Sequence, residues 1–229
     1  DLHYPLRRQR QMCIRDRTYI ALAAVGIALI ISALFRAENP TETVKNQSQE
    51  QLHAATAPVR FNQGDKILIG SDTGDRSVCT VGYVDKPNNR LYTARHCLRD
   101  ENIAYDANNQ PIGKGYPVGD NDVAVIELDG PAQGENKHST DNRPIMPQVG
   151  DQVCGYGSTS QRDRCGQITK IKDDGSIYAS AEVIGTHGDS GGPVWEKDTG
   201  QIIGVYRGAM NSTYSNGVSE KEALVEYFN

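Results

Sequence analysis

The sequence lacks an excess of positive charge. Its 24 Lys and Arg residues are outnumbered by 29 Asp and Glu residues, which gives a formal net charge of -5. A chain of this composition has no basic stripe with which to neutralise phosphate groups. We therefore expect no nucleic acid among its partners.

Helical periodicity is scarce after residue 60. Short β-like runs such as KILIG, SVCTVGYV and DVAVIEL alternate with turn sequences such as DTGD, KPNN and KDTG. A polar, proline-containing stretch at about 130–147 divides these runs into two comparable halves. The sequence therefore predicts a mostly β domain over 61–229 that consists of two barrels and a linker.

One segment near the end of the chain has a helical pattern. SEKEALVEYF begins with a capping serine and spaces four apolar residues along one helical face. These residues are Ala223, Leu224, Tyr227 and Phe228. The pattern predicts a short C-terminal helix.

A single long apolar run is present, at residues 18–35. It approaches the length of about 20 residues that crosses a bilayer. Five arginines precede it in the basic segment 1–17, and acidic and polar residues follow it in 36–60. The positive-inside rule then predicts a single-pass membrane anchor, with a flexible stalk at 36–60 and the domain outside the cytoplasm. A cleaved signal peptide, which would leave a secreted domain, is the alternative.

The sequence has five cysteines, and none lies in a C-x-x-C motif. Cys13 precedes the apolar run, and the other four form two local groups, Cys79 with Cys97 and Cys154 with Cys165. An even number of cysteines in an oxidising compartment predicts one disulfide within each group and a free Cys13. Zinc is the alternative, but the spacing does not favour it. We expect neither a metal nor a cofactor.

Residues 186–194, THGDSGGPV, place Ser190 among glycines and an aspartate. A surface turn is one interpretation, because Gly, Asp and Ser are ordinary turn residues. A nucleophile is the other, because glycines leave backbone amides free to face an oxyanion. No histidine follows Ser190, which excludes the order of an α/β-hydrolase triad, and the lack of alternating helices excludes a subtilisin-like sheet. The remaining order is His, Asp, Ser on a β scaffold.

His96 and Asp122 are the best candidates for the other two members. His96 follows the apolar run RLYTA and adjoins a cysteine of the first group, although a buried structural histidine would fit the same position. Asp122 directly precedes the run VAVIEL, where a carboxylate can fix the tautomer of an imidazole. Asp120 is the alternative acid, but it is more typical of a turn.

Three motifs, TARHC, NDVAVI and GDSGGP, resemble in their order the His, Asp and Ser motifs of chymotrypsin-like serine proteases. CTVGYV and VCGYGSTSQRDRCGQI are similar to the bacterial streptogrisin and α-lytic protease branch. The resemblance covers about 61–229. It implies two packed six-stranded antiparallel β-barrels, at about 61–129 and 145–229, and a short C-terminal helix. It also implies a serine endopeptidase that acts on polypeptides. Separately, we expect the protein to be a monomer.

The resemblance assigns a role to each motif residue. Ser190 would attack the carbonyl, His96 would accept and return the proton, and Asp122 would orient the imidazole. The amides of Gly188 and Ser190 would form the oxyanion hole. Asp189 would be buried in a salt bridge that holds this loop open.

Two departures from the family pattern bear on specificity. Ile184 stands six residues before Ser190, where trypsin-like enzymes have an Asp, so we do not expect cleavage after Lys or Arg. An apolar floor at Ile184 favours medium or large uncharged residues before the cleaved bond. His187 and Arg207 leave an acidic residue open as the alternative. The substrate-pairing strand lacks its usual Ser and has Tyr206, Arg207 and Gly208 instead.

A further departure concerns the partner of Asp189. The bacterial branch often has an arginine directly after the first cysteine of the second pair, where this sequence has Gly155. The partner of Asp189 is therefore open. A catalytically silent protease fold that serves as a binding module at the cell surface is the alternative function.

Overall fold

The computed structural model describes residues 58–140, 143–213, 215 and 217–228. The predicted membrane segment 18–35, Cys13 and all but the last residues of the predicted stalk lie outside the described residues. Among the described residues, no helix has the length and apolarity needed to cross a membrane.

The regular secondary structure in the described part of the chain consists of β-strands and two short 3₁₀ helices, at Arg95–Cys97 and Ala181–Val183. The strands are Val59–Arg60 (β1), Lys66–Gly70 (β2), Arg76–Thr80 (β3), Tyr83–Asp85 (β4), Arg90–Ala94 (β5), Ile103–Tyr105 (β6), Pro111–Val118 (β7), Val123–Leu128 (β8), Ala132–Gln133 (β9), Gln152–Gly155 (β10), Arg164–Ile171 (β11), Ile177–Ala179 (β12), Pro193–Glu196 (β13), Ile202–Thr213 (β14) and Ser219–Tyr227 (β15). The prediction of an all-β domain is confirmed.

The second half of the domain is a closed six-stranded antiparallel barrel. Its strand order is β10-β11-β12-β15-β14-β13. Its interior contains fully buried aliphatic side chains from most of its strands, among them Val153, Ile168, Val194 and Ile203. This barrel agrees with the predicted architecture.

The first half is an open seven-stranded sheet, which corrects the prediction of a second closed six-stranded barrel. Its order is β3-β2-β6-β7-β8-β5-β4. The two edge strands belong to one bent segment, 76–85, that changes neighbours at its centre: Val81 N donates to Asp65 O (2.9 Å), and Gly82 N donates to Tyr92 O (2.8 Å). Both edges of the sheet are therefore formed by this one segment, but β3 and β4 are not paired with each other, so the sheet is not closed into a barrel.

The predicted C-terminal helix is wrong, because Ser219–Tyr227 forms β15. Ala223 is the Cα partner of Ala179 in β12 and of Ala209 in β14, so β15 closes the barrel between two neighbours. Buried side chains lie along it, including Ala223, Val225 and Glu226. Pairing on both edges outweighs a local helix propensity that amounts to tenths of a kcal/mol per residue.

A third apolar cluster joins the sheet and the barrel. Val123 of the sheet packs with Val205 of the barrel and with Phe228, and all three are buried. The rings of Tyr92 and Phe228 lie 5.0 Å apart in an edge-on arrangement. The two halves are therefore packed against each other, with the ends of β5 and β8 beside β14.

Candidate active site

The register of two strands brings His96 and Asp122 together. β5 and β8 are antiparallel neighbours, and Ala94 is the Cα partner of Val123. His96 lies in the 3₁₀ turn directly after β5, and Asp122 directly before β8. Two residues that are 26 positions apart in the chain therefore meet at one end of the sheet.

Asp122 holds both the ring and the backbone of His96. Its Oδ2 lies 2.7 Å from His96 Nδ1, and its Oδ1 accepts from His96 N at 2.7 Å. The Asp122 side chain is only 12% exposed, and that of His96 is 43% exposed. A carboxylate on Nδ1 stabilises the tautomer whose Nε2 can accept a proton. The exposed Asp120, the alternative acid, makes no hydrogen bond to His96 in the described structure.

The first predicted disulfide anchors this turn. Cys79 in β3 is bonded to Cys97, the residue after His96. Both cysteines are buried in the core of the first sheet. The second predicted disulfide, Cys154 with Cys165, joins β10 to β11. Both predicted disulfides are therefore present.

Ser190 lies in a pair of consecutive turns. Asp189 N donates to Thr186 O and Gly192 N donates to Asp189 O, each at 3.0 Å. The third residue of each turn is a glycine with positive φ, Gly188 at 92° and Gly191 at 83°. A type II turn requires this conformation, so the glycines of THGDSGG determine the path of the backbone around Ser190.

Two amides in these turns have no internal acceptor. Neither Gly188 N nor Ser190 N donates a hydrogen bond to another described residue. Gly188 is buried, while its carbonyl accepts from Thr80 Oγ1 at 2.8 Å. Free backbone N–H groups beside a serine are the donors that an oxyanion hole needs.

The buried carboxylate of Asp189 ties the turns around Ser190 to the neighbouring segment at Thr159 and Ser160. Its side chain is fully buried, and it accepts hydrogen bonds from the amides of Thr159 (3.1 Å), Ser160 (2.9 Å) and Thr186 (2.9 Å). Burial by itself raises the pKa of Asp189. These hydrogen bonds and the charge of Arg164 together lower it by more than burial raises it, so the pKa lies below its ordinary value. The group is therefore a buried carboxylate.

Arg164 is the partner of Asp189 that sequence analysis left open. Its Nη1 lies 3.2 Å from Asp189 Oδ2, and its side chain is 3% exposed. Arg164 also donates to Val183 O through Nε at 3.2 Å and to Ser160 Oγ. Burial lowers the pKa of Arg164 from its ordinary value. Its Nη2 has no hydrogen-bond partner in the described residues.

The register of the second barrel explains why the arginine is at 164. Gly155 and Arg164 are Cα partners across β10 and β11, next to the partners Cys154 and Cys165. The cation that pairs with Asp189 therefore comes from the position before the second cysteine, on the strand that faces Gly155. The predicted disulfide could have identified Arg164. If Cys154 and Cys165 face each other across a hairpin, the residue after Cys154 faces the residue before Cys165.

Ser190 lies beside the His96 turn. Ser190 O accepts from Thr80 N at 2.8 Å and lies 4.0 Å from the sulfur of Cys97. The Ser190 hydroxyl makes no hydrogen bond to His96 or to any other described residue. Such contacts are often long in enzymes without substrate and shorten in the reacting complex.

The predicted specificity residues lie in different environments. Tyr206 is buried and Arg207 exposed, while Gly208 and Ile184 are half-buried and His187 is exposed. Of these, the structure brings Arg207 and Gly208 to a groove of about 610 Å³ that also contains His96 and Asp122.

Arg207 bridges two carboxylates beside the groove. Its Nε lies 3.4 Å from Asp122 Oδ2, and its Nη1 lies 2.8 Å from Glu226 Oε1. Glu226 was not singled out by sequence analysis, because it lies in the segment for which a helix was predicted. In the described residues, no cluster of three or more His, Cys, Asp or Glu side chains could hold a metal ion.

Comparison with known proteins gives relatives in sequence and in structure. No family model matches the chain. Two proteins of Mycobacterium tuberculosis, Uncharacterized protein Rv1815 and Uncharacterized protein MT1863, are each 29% identical to it over 153 residues, which cover 58% of this chain and 68% of theirs.

Three of the solved structures that it resembles are bacterial proteases. Cellulomonas bogoriensis chymotrypsin has 22% identity and a TM-score of 0.53, and Thermobifida fusca protease A has 18% and 0.55. Each similarity covers 75% of this chain and 93% of the other. Nocardiopsis protease has 19% identity and a TM-score of 0.52, over 74% and 93%. The predicted resemblance is confirmed for the fold, and the chain has the chymotrypsin-like fold of bacterial serine proteases.

Proposed function

We propose that the protein is a serine endopeptidase that cleaves polypeptides through an acyl-enzyme intermediate. One observation supports this most: the hydrogen-bonded pair of His96 and Asp122 lies beside the turns that contain Ser190 and the two unpaired amides, Gly188 N and Ser190 N. A base with a fixed tautomer, a hydroxyl and a pair of oxyanion donors are the parts that acyl transfer needs.

In this mechanism Ser190 Oγ attacks the substrate carbonyl while its proton passes to His96 Nε2. Asp122 keeps Nδ1 protonated and stabilises the imidazolium that forms. The carbonyl oxygen takes up the negative charge and binds the amides of Gly188 and Ser190. His96 then gives its proton to the leaving amine, and a water molecule repeats the sequence to release the acid.

The free edge of β14 gives the substrate a strand to pair with. Tyr206 N and O are bonded to Gly192 O and Gly191 N, and the Cα partners of β14 in β13 end at Val205. Beyond Tyr206 this edge has no strand partner among the described residues. A Cβ at Gly208 would meet nothing within 4 Å. An extended peptide can therefore add here as a further strand.

Cleavage of an unfolded protein substrate by the full chain tests this function. We expect Ser190→Ala, His96→Ala and Asp122→Asn each to lower kcat/KM by about 10³ or more, without additivity. Asp120→Asn is the matched control, since it makes the same chemical change two positions away on an exposed side chain. Activity that survives in Asp122→Asn but is lost in Asp120→Asn would contradict the assignment of the acid.

We also propose that the domain acts outside the cytoplasmic membrane, as a monomer attached through residues 18–35. The two disulfides support an oxidising compartment, and the apolar run supports attachment. Protease shaving of intact cells tests both parts: the domain should be removed from the cells, and before treatment it should sediment with membranes.

A silent binding module is the second candidate. It is favoured by the Ser190 hydroxyl, which makes no hydrogen bond to His96 in the described structure. In that case the unmodified chain would not hydrolyse any member of a mixed peptide library, and Ser190→Ala would bind the same peptides equally well.

A further inference from the structure

We propose that Tyr206 fills the space that receives the substrate side chain before the cleaved bond, so that the enzyme cleaves after small residues such as glycine, alanine or serine. This inference rests on the proposed protease function and names its substrate class. It concerns the depth of one pocket, and four observations carry it.

The position of that side chain follows from the two contacts of the reacting residue. Its carbonyl binds the amides of Gly188 and Ser190, and its backbone pairs with β14 just beyond Tyr206. The side chain therefore enters between the segment 184–188 and the strand β14. Whatever lies between these two elements limits its size.

Tyr206 lies between them. Its backbone is fixed beside the Ser190 turn, since Tyr206 N donates to Gly192 O (2.8 Å) and its carbonyl accepts from Gly191 N (2.7 Å). Its side chain is 3% exposed and belongs to the core of the second barrel, against which Ile184 also packs. The phenol ring thus lies inside the second barrel, next to the two turns that contain Ser190.

The phenol of Tyr206 extends from β14 towards the opposite side of the pocket, the segment 184–188. The guanidinium carbon of Arg164 lies 5.6 Å from the ring centroid, within the range of a cation–π contact. Arg164 also lies against Gly185, since its Nη2 would be 2.9 Å from a Cβ at that position. The ring therefore extends from β14 towards the segment that contains Ile184 and Gly185.

The segment that contains Ile184 and Gly185 has no free space behind it. A Cβ added to Gly185 would lie 2.8 Å from Asp189 Oδ2 and 2.9 Å from Arg164 Nη2. The buried ion pair thus lies immediately behind Gly185, and neither this segment nor the ring can move back without disturbing it. Tyr206, and not Ile184, limits the depth, which replaces the preference for larger residues that the sequence favoured.

A series of peptides that differ only in the residue before the cleaved bond tests the proposal. A small fluorophosphonate without an amino-acid side chain counts the reactive Ser190 in the full chain, and kcat/KM is then measured per active site. We expect alanine to exceed phenylalanine by at least tenfold in the unmodified enzyme. This is in the range by which apolar pockets discriminate size.

Two variants sharpen the test. Tyr206→Ala should raise kcat/KM for phenylalanine at least tenfold relative to alanine, and Tyr206→Phe, which keeps the ring, should retain the preference for alanine. If Tyr206→Ala does not fold, the ratio in the unmodified enzyme decides. Normal labelling of Ser190 with phenylalanine equal to or better than alanine would overturn this inference alone. Absence of labelling would overturn the protease function as well.

Discussion

Replacing Arg164 by methionine should destabilise the second barrel and the nucleophile turn together. The change leaves the fully buried carboxylate of Asp189 without its cation, and removing one partner of a buried ion pair costs about 3–5 kcal/mol. Asp189 keeps three amide donors, from Thr159, Ser160 and Thr186. We therefore expect the lower end of that range, about 3 kcal/mol.

Urea denaturation can measure this loss directly. The protein has a single tryptophan, Trp195, which is buried in β13 of the same barrel. With a urea dependence of about 2 kcal/mol per M, a loss of about 3 kcal/mol lowers the midpoint by about 1.5 M. Labelling of Ser190 by a fluorophosphonate should slow in the same variant, because Asp189 positions the oxyanion amides.

Arg162→Met is the matched control, because it removes an exposed arginine two positions away. We expect its free energy of unfolding to stay within about 0.5 kcal/mol of the unmodified chain. The double variant Gly155→Arg with Arg164→Gly moves the cation to the facing strand, where a Cβ meets only ordinary contacts at 3.6 Å. It should recover part of the lost stability. If Arg164→Met were as stable as Arg162→Met, the assigned role of the ion pair would be refuted.

Three other changes test the surroundings of the site. Gly188→Ala should slow the labelling of Ser190 at least 10²-fold, the typical effect of losing an oxyanion donor, because φ is 92° there; normal labelling would contradict the turn geometry. Burial lowers the pKa of His138, so the folded state binds its proton less readily than the unfolded state, and stability should fall as the pH drops below about 6.5. His138→Phe, which keeps the stack on Tyr156, should lose this part of the pH dependence in urea titrations at pH 7.5 and 5.5, and an unchanged dependence would exclude His138 as its source. Replacing Cys79 and Cys97 by alanine opens a loop with a sequence separation of 18 and should cost about 3 kcal/mol, measured by the same denaturation; a loss below about 1 kcal/mol would show that the bridge does not constrain the unfolded chain.

Local patterns were sufficient for the β class and the two disulfides. Buried strands such as β8 are recognisable because nearly all of their residues are apolar, and a glycine at the third position of a turn has a defined conformation. The family resemblance, carried by the motif GDSGGP, also implied that Asp189 is buried. In each case the information lies in a few neighbouring residues.

What the sequence did not reveal depends on contacts between distant segments. β15 is a strand because β12 and β14 bind both of its edges, although SEKEALVEYF by itself has the spacing of a helix. The partner of Asp189 depends on the register that places Arg164 opposite Gly155. The proposed size of the substrate pocket rests on the burial of Tyr206, which its own neighbours in sequence do not determine.

The most direct test of the central claim is the reactivity of Ser190. The full chain is treated with a fluorophosphonate at neutral pH, and the modified peptide is identified by mass spectrometry. The account predicts one stoichiometric adduct on Ser190, absent from Ser190→Ala and slowed by orders of magnitude in His96→Ala. A folded chain that leaves Ser190 unmodified, or that is labelled equally fast without His96, would contradict it.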